Sequence, residues 1–301
     1  MKRREFLAVL AAGLAKGAEE EVVVERDRTG RPFAGRVMAA IQPHADDIPI
    51  FAGGTVLKLM NEGYTGYLIR TTNDDMAGRG TIAETALANE RDVDELTKAM
   101  GFKRAFSLNY GNHEMDGISK PELRSRLIFL FRLLKVDTIV CYDPWGHYEE
   151  NPDHYVTAQC VEAACWMAGG HLDFPEHFAA GLKPHVVREK YYYARGPQAV
   201  NRVVDISSTI DKKMTAIRAN KTMLGNMVRE ARDQLAARNL ELPELEGDLD
   251  GAIRAFADLR FREGSARRGQ DYGLKFAERF HYIGPDTSLD EYIARHAVPL
   301  R

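Results

Sequence analysis

Val37-Met38-Ala39-Ala40-Ile41, then Gln42, then Pro43-His44-Ala45-Asp46-Asp47 is the stretch that decides the fold. An uninterrupted apolar run of this length predicts a strand buried on both faces, as in a parallel sheet, and a helix-like segment begins near Ile48. The polar cluster therefore sits at the carboxyl end of a buried strand, where open α/β sheets hold their ligands. A single His-Asp turn would be an ordinary solvated turn. Asn151-Pro152-Asp153-His154 repeats the arrangement after a second apolar run, Thr138-Ile139-Val140-Cys141-Tyr142, and that recurrence gives the first cluster its weight.

Outward from this stretch the chain alternates. Phe51 to Asn61 carries Val56, Leu57 and Met60 at helical spacing after Gly53-Gly54, and Tyr64 to Thr72 reads as the second strand. The polar loop from Asn73 to Gly80 ends in a capping box, Thr81 with Glu84, and the following helix places Ile82, Ala86, Asn89, Val93, Leu96 and Met100 on one face. A third strand around Ala105 to Leu108 leads to a second capping box, Ser119 with Glu122, and a helix with Leu123, Leu127, Leu130 and Leu134 in register. Val136 to Tyr142 is the fourth strand. This succession predicts a doubly wound, mostly parallel, Rossmann-like α/β sheet with helices on both faces. Because parallel strands end on one edge, His44, Asp47 and His154 can converge there.

The second half is less regular. His171 to Pro184 reads as loop, Val186 to Ala194 as a strand, and Ser207 to Asn239 as one long helical stretch with Ile210, Met214, Ile217, Met223, Leu224 and Met227 on a packing face. Leu240 to Gly251 is an acidic break before a short helix and a charged loop, giving an elaborated C-terminal helical part. No internal repeat is evident, so residues 19–301 read as a single domain.

With 301 residues, 45% hydrophobic and 28% charged, the chain can bury a proper core. A net charge of -3 gives no electrostatic reason to expect nucleic acid or an anionic membrane as the main partner. Cys141, Cys160 and Cys165 form neither an even disulfide set nor a Cys-x-x-Cys pair and read as small core hydrophobes. Residues 1–18, beginning Met1-Lys2-Arg3-Arg4-Glu5-Phe6-Leu7 and continuing through a short apolar run, resemble a twin-arginine export signal. The run is too short for a stable membrane anchor, so the expectation is an exported protein cut after Ala15 or Ala18, with a cytoplasmic protein as the alternative. Nothing in the sequence sets the oligomeric state.

The two clusters carry chemistry. A catalytic zinc takes three nitrogen or oxygen ligands and keeps one position for water, and His44, Asp47 and His154 supply that set. Asp46 is left over beside it, which is what a general base requires. The predicted reaction is hydrolysis, and the same donor set accepts Fe2+ or another divalent metal.

Pro43-His44-Ala45-Asp46-Asp47 also resembles the His-Pro-Asp-Asp-Glu motif of the PIG-L/LmbE-like deacetylases, and Asn151-Pro152-Asp153-His154 their His-Pro-Asp-His motif. Asp116-Gly117, Val204-Asp205-Ile206 with Lys212-Lys213, and Ala277-Glu278-Arg279-Phe280 are weaker echoes. The resemblance implies a zinc-dependent amidase removing an acyl group, commonly acetyl, from an amino sugar such as N-acetylglucosamine or a similar amine. It implies His44, Asp47 and His154 as metal ligands and Asp46 as base. Ala45 and Ile48 depart from the motif, and Asn151 stands where the family has a histidine that stabilises the oxyanion or protonates the leaving amine. Asn can donate to an oxyanion but cannot shuttle a proton, so His147 is the other candidate for that role. Asp153 is expected to orient a neighbouring side chain or cap the helix that follows. Arg79 and Asp116 are candidate substrate contacts, and Asp74 and Asp75 are read as turn formers.

Two competing readings remain at this stage. Gly78-Arg79-Gly80-Thr81-Ile82-Ala83 formally matches a dinucleotide fingerprint, but it follows the second strand across a polar spacer, so the tight phosphate turn is not set up. The other is a non-catalytic metal- or sugar-binding relative.

Overall fold

The alternating runs build one eight-stranded sheet in the computed structural model, which describes residues 22–288 and 290–298. The export-type segment expected over residues 1–18 lies outside the described residues. The strands are β1 (Val23–Glu25), β2 (Val37–Gln42), β3 (Thr65–Thr72), β4 (Arg104–Tyr110), β5 (Thr138–Tyr142), β6 (Glu189–Tyr193), β7 (Arg202–Asp205) and β8 (Ala277–Ile283). Their order is β1-β7-β8-β6-β5-β2-β3-β4, parallel throughout except for β8, which runs antiparallel to both neighbours. The helices are α1 (Asp47–Phe51), α2 (Gly53–Asn61), α3 (Ile82–Met100), α4 (Lys120–Leu134), α5 (Pro152–Met167), α6 (Pro175–Ala179), α7 (Ile210–Ala219), α8 (Lys221–Ala236), α9 (Leu249–Ala257), α10 (Glu263–Gln270) and α11 (Asp290–His296). Among the described residues no helix is long and apolar enough to cross a membrane.

Burial follows position in the sheet. Every residue of central β5 is buried, as are Met38 to Gln42 of β2, whereas edge strand β4 alternates. That is the pattern the apolar runs predict for strands covered on both faces. α4 packs on α5, and α3 packs on α7 and α8, so the helices form two groups that cover the sheet. The carboxyl ends of β2, β3 and β4 are stitched together directly. The N–H of Thr72 donates to Pro43 O at 3.1 Å and that of Asn73 to Tyr110 O at 2.9 Å.

Several expectations are corrected. The helical stretch over 207–239 is two helices, α7 and α8, broken at Asn220 (φ -82°, ψ 64°), whose buried side-chain amide donates to Ala216 O and Ile217 O. An amide that satisfies the last carbonyls of one helix ends it there. The packing face is as expected for Ile210, Met214, Ile217, Met223 and Leu224, all buried. The loop over 171–184 contains α6, whose His177 is buried, with one ring nitrogen beside Ser125 Oγ and the other beside Arg132. Thr81 and Glu84 form the full capping box, but Ser119 and Glu122 form only half of one, the backbone bond to Ser119 Oγ. Ile82 is exposed, and Thr85 joins Asn89, Val93, Leu96 and Met100 on the buried face of α3. The three cysteines are buried and free.

β8 ties the late chain to the first cluster. Glu278 accepts the N–H groups of Gly54 (2.9 Å) and Thr55 (2.8 Å) at the start of α2, and Lys213 of α7 donates to it at 2.6 Å. The carboxylate thereby satisfies two orphan donors of a helix N-terminus, where negative charge is favoured. Gly54 must lack a side chain here, because a Cβ would lie 2.7 Å from Ile206.

Candidate metal centre and active site

The turn after β2 is held in shape before it holds anything else. Gln42 spans it, accepting the Ile48 N–H at 3.0 Å and donating to Ala45 O at 3.2 Å. Asp74, in the left-handed region at φ 57°, accepts the Ala45 N–H at 3.1 Å and pairs with buried Arg70 at 2.9 Å. Asn89 of α3 fixes that second turn by donating to Asp74 O and Ala77 O. Asp74 thus forms a turn, as expected, and also carries a buried charge pair that the sequence did not announce.

Among the described residues, His44, Asp47 and His154 are buried with ligand atoms all within 4.8 Å of one another. His44 Nδ1 and His154 Nε2 face each other at 3.0 Å. Asp47 Oδ2 lies 3.4 Å from His44 Nδ1, and its Oδ1 lies 3.6 Å from His154 Nε2. Ligands 2.0–2.1 Å from a tetrahedral ion sit about 3.3 Å apart, so these spacings suit a small cation.

The outer nitrogens strengthen that reading. His44 Nε2 faces two acceptors, Asp153 Oδ2 at 3.0 Å and Asn112 Oδ1 at 2.9 Å, which fixes a proton on Nε2. His154 Nδ1 lies 3.1 Å from Glu149 Oε1. The two inner nitrogens, His44 Nδ1 and His154 Nε2, stand 3.0 Å apart, where they can share a single hydrogen bond or together ligate a cation. Carboxylate-backed histidines are the usual surroundings of a bound metal. Burial lowers the pKa of His44, but its bonds to Asp153 and Asp47 outweigh this and raise it well above the usual histidine value. Without a metal the pocket therefore draws a proton.

Asp47 is the better-supported carboxylate. It accepts the His44 N–H and the Tyr142 O–H, both at 2.8 Å, while the Tyr142 ring stacks on His154 at 4.1 Å. Burial opposes its charge, yet His154 and His44 pull its pKa down to about 2. Asp46 next to it is equally buried, and its carboxyl is bonded by its own backbone N–H and by no side chain among the described residues. Burial, then the charge of Asp47, push its pKa up to about 8. Two adjacent carboxylates are thus driven apart in basicity, the arrangement that separates a ligand from a proton acceptor.

Asp153 is fully buried and also accepts the N–H groups of His113 (2.8 Å) and Met115 (3.3 Å). It therefore orients His44. Asn151 is the N-cap of α5, its side-chain oxygen accepting the Asp153 N–H at 2.9 Å. His147 is exposed. Its backbone N–H bonds Pro197 O at 3.2 Å and its ring lies near Tyr148, with no contact to the triad among the described residues. Arg79 and Asp116 are exposed and make no hydrogen bond or ion pair among the described residues. The structure thus brings His44, Asp46, Asp47, Asp153 and His154 together and leaves Arg79, Asp116 and His147 outside their bonds. Glu149, Tyr142 and Asn112 were missed by sequence reasoning. Only Glu149 had a signal, its position five residues before His154 in the loop that ends the fourth strand.

The match to known proteins follows the same boundaries. A family model described as PIG-L, GlcNAc-PI de-N-acetylase, matches residues 39–165, from β2 through α5. A diacetylchitobiose deacetylase from Thermococcus kodakarensis is 30% identical over 186 residues, covering 60% of this chain and 68% of that protein. Among solved structures, N,N'-diacetylchitobiose deacetylase from Pyrococcus horikoshii superimposes with a TM-score of 0.68 at 20% identity, over 99% of this chain and 97% of the other. A 4-carboxy-2-hydroxymuconate hydratase from Pseudomonas putida shares the fold with a TM-score of 0.60 at 14% identity, over 83% of this chain and 97% of the other.

Proposed function

The chain belongs to the PIG-L family of de-N-acetylases, and from that premise we propose that it is a metal-dependent hydrolase removing an N-acetyl group from an amino sugar or related amine. The observation that carries the reading is the buried triad of His44, Asp47 and His154, whose ligand atoms all lie within 4.8 Å of one another, beside the buried carboxyl of Asp46. A nitrogen- and oxygen-donor set of two histidines and one aspartate suits zinc, with Fe2+ the competing occupant. The expected substrate follows from the relatives, whose names specify acetylated sugars.

A divalent cation bound there would supply Lewis acidity to the hydrolysis. His44, Asp47 and His154 hold it, and Asp153, Tyr142 and Glu149 keep their donor atoms aimed. Asp46 takes a proton from the attacking water on its free carboxylate oxygen. The water oxygen adds to the acyl carbon, the C–N bond breaks, and Asp46 returns the proton to the departing amine, leaving acetic acid, which ionises to acetate in solution. In the metal-free site burial, then the charge of Asp47, raise the pKa of that carboxyl to about 8, which suits a group that both takes and returns a proton. A dinucleotide role for Gly78 to Ala83 finds no support. Thr81 there caps α3 with its own hydroxyl.

Metal analysis of the purified protein, with acetate release from a panel of N-acetylated amines, tests the reading. Asp46→Ala should keep its metal and lose turnover by about 100-fold or more, and His154→Ala should lose both. Full activity in a metal-free sample would sink the proposal. His147→Ala settles the proton donor: a kcat loss beyond about 100-fold with metal retained assigns that step to His147, and a small loss leaves it with Asp46.

A further inference from the structure

A cleft of about 470 Å³ opens between α1, α10 and the edge of β8, lined by Ile50, Phe51, Arg195, Arg260, Arg268 and Arg279. A smaller hollow of about 150 Å³ adjoins it, sharing Phe51, Arg195, Arg268 and Arg279 and walled by residues of the 193–200 segment. With Arg267, five arginines and one carboxylate, Asp271, face the larger cleft. Arg195 is neutralised by Glu149, and Arg267 pairs with Glu263 at 3.5 Å. Arg260, Arg268 and Arg279 form no direct ion pair among the described residues, although the Glu278 carboxylate lies near enough to attract Arg268. Burial, then repulsion from Arg279, outweigh the attraction of Glu278 and push the pKa of Arg268 down. The arginines outnumber the carboxylates around the cleft, and an anion is the natural complement of that excess positive charge.

The position ties this cleft to the metal centre. Asp47 and Phe51 are the first and last residues of α1, about 6 Å apart along the helix axis. Phe51 stacks on Tyr193 (5.6 Å, 5°) and touches Tyr142, the side chain that bonds Asp47 and covers His154. Arg195 reaches the same centre through Glu149. Arg260 and Phe261 lie on a π-helical turn, Asp258–Arg262, directly before α10. Such turns are rare and concentrate at functional sites.

We propose that this arginine cleft binds an anionic substituent, a carboxylate or a phosphate, carried by the acylated substrate beyond the group that is cleaved. The proposal rests on the deacetylase reading for its substrate but on the cleft alone for its anion. Arg268 and Arg279 form the fork, Phe51 is the apolar floor shared with the metal site, and Arg195 bridges the two.

The metal-loaded protein should be assayed on N-acetylglucosamine, N-acetylglucosamine 6-phosphate and N-acetylmuramic acid, with Arg268→Gln, Arg279→Gln and the double variant. The expected result is a higher kcat/KM for one charged sugar than for the neutral one. That ratio should fall at least about tenfold in each variant, chiefly through KM. The sugar that loses its advantage identifies phosphate or carboxylate. An unchanged ratio, or equal losses on neutral and charged sugars, overturns the proposal. Calorimetric titration with inorganic phosphate and with glucuronate gives a readout free of turnover. Saturable binding that disappears in the double variant upholds the cleft even if no sugar is deacetylated, in which case the deacetylase reading falls alone. No saturable binding of either anion, with acetate release intact, overturns the cleft alone. Arginine-dependent binding to phosphatidylglycerol vesicles without discrimination among soluble sugars also overturns it.

Discussion

Asp153 and Tyr142 set the geometry of the candidate metal triad without belonging to it, one bonding His44 at 3.0 Å and the other Asp47 at 2.8 Å. Loss of such outer contacts typically costs about 10–100-fold in metal affinity. Asp153→Asn belongs at the upper end, because it weakens the hold on the His44 Nε2 proton and leaves fewer acceptors for the N–H groups of His113 and Met115. Tyr142→Phe belongs at the lower end, since the ring stays stacked on His154 and only the hydroxyl is lost. Competition against a chromophoric chelator measures both, and an Asp153→Asn protein that binds metal as tightly as wild type would contradict the assignment. At this scale the sequence was legible where function sits in short motifs. His44, Asp46, Asp47, Asp153 and His154 all lie within two four- or five-residue clusters. Their supporters do not: Tyr142 is 95 residues from Asp47, and Asn112 is 68 from His44. No local pattern marks a tyrosine or asparagine as a partner over such separations, because strand order alone brings them together.

At the scale of elements, Glu278 on β8 joins Lys213 on α7 to the N-terminus of α2, all buried. Burial lowers the pKa of Lys213 against the attraction of Glu278, which indicates how much the amine depends on its partner. Removing one member of a buried pair costs about 3–5 kcal/mol. Glu278→Ala should therefore destabilise by that order in urea titration, since it strands Lys213 and two helix N–H groups. Lys213→Met with Glu278→Gln should cost less than the two single changes added together. Additive losses would show that the pair is uncoupled. The sequence displayed both residues inside family-like echoes but gave no reason to join them. The Asn220 break was hidden for a related reason. Asn is tolerated within a helix, and only its buried amide turning back on Ala216 and Ile217 ends α7.

Across the whole molecule, strand-helix alternation was legible from β2 to β6 because each apolar run there is buried on both faces or bounded by a capped helix. It failed for β1, β7 and β8. The first two are 3 and 4 residues long, and β8 reads Ala-Glu-Arg-Phe-His-Tyr-Ile, a mixture whose strand character comes from pairing between β6 and β7. The hydratase that shares this architecture shows that the sheet alone does not define a reaction. The sheet does impose a shared pH response.

Neutral thiols and phenols line its interior: Cys141 and Tyr142 on β5, Tyr191 to Tyr193 on β6, and Cys160 and Cys165 on α5 against it. Burial raises the pKa of every one of them, that of Cys160 from 9.0 to about 11, and burial also takes Tyr64 from 10.0 to about 12. The sign of the effect follows from linkage. Below pH 9 these groups are protonated in both states and their contribution is fully present. Between pH 9 and about 12 the unfolded chain releases protons that the fold retains, so stability falls as pH rises. Thermal unfolding should accordingly shift to lower temperature from pH 9 to 11, and Cys165→Ala, which removes one such group, should flatten the slope. The same burial predicts that a thiol reagent at pH 8 labels none of the three cysteines until the protein is unfolded. Rapid labelling of the folded protein would mean that β5 and α5 part readily, and the rigidity ascribed to the ligands they carry would fail with it.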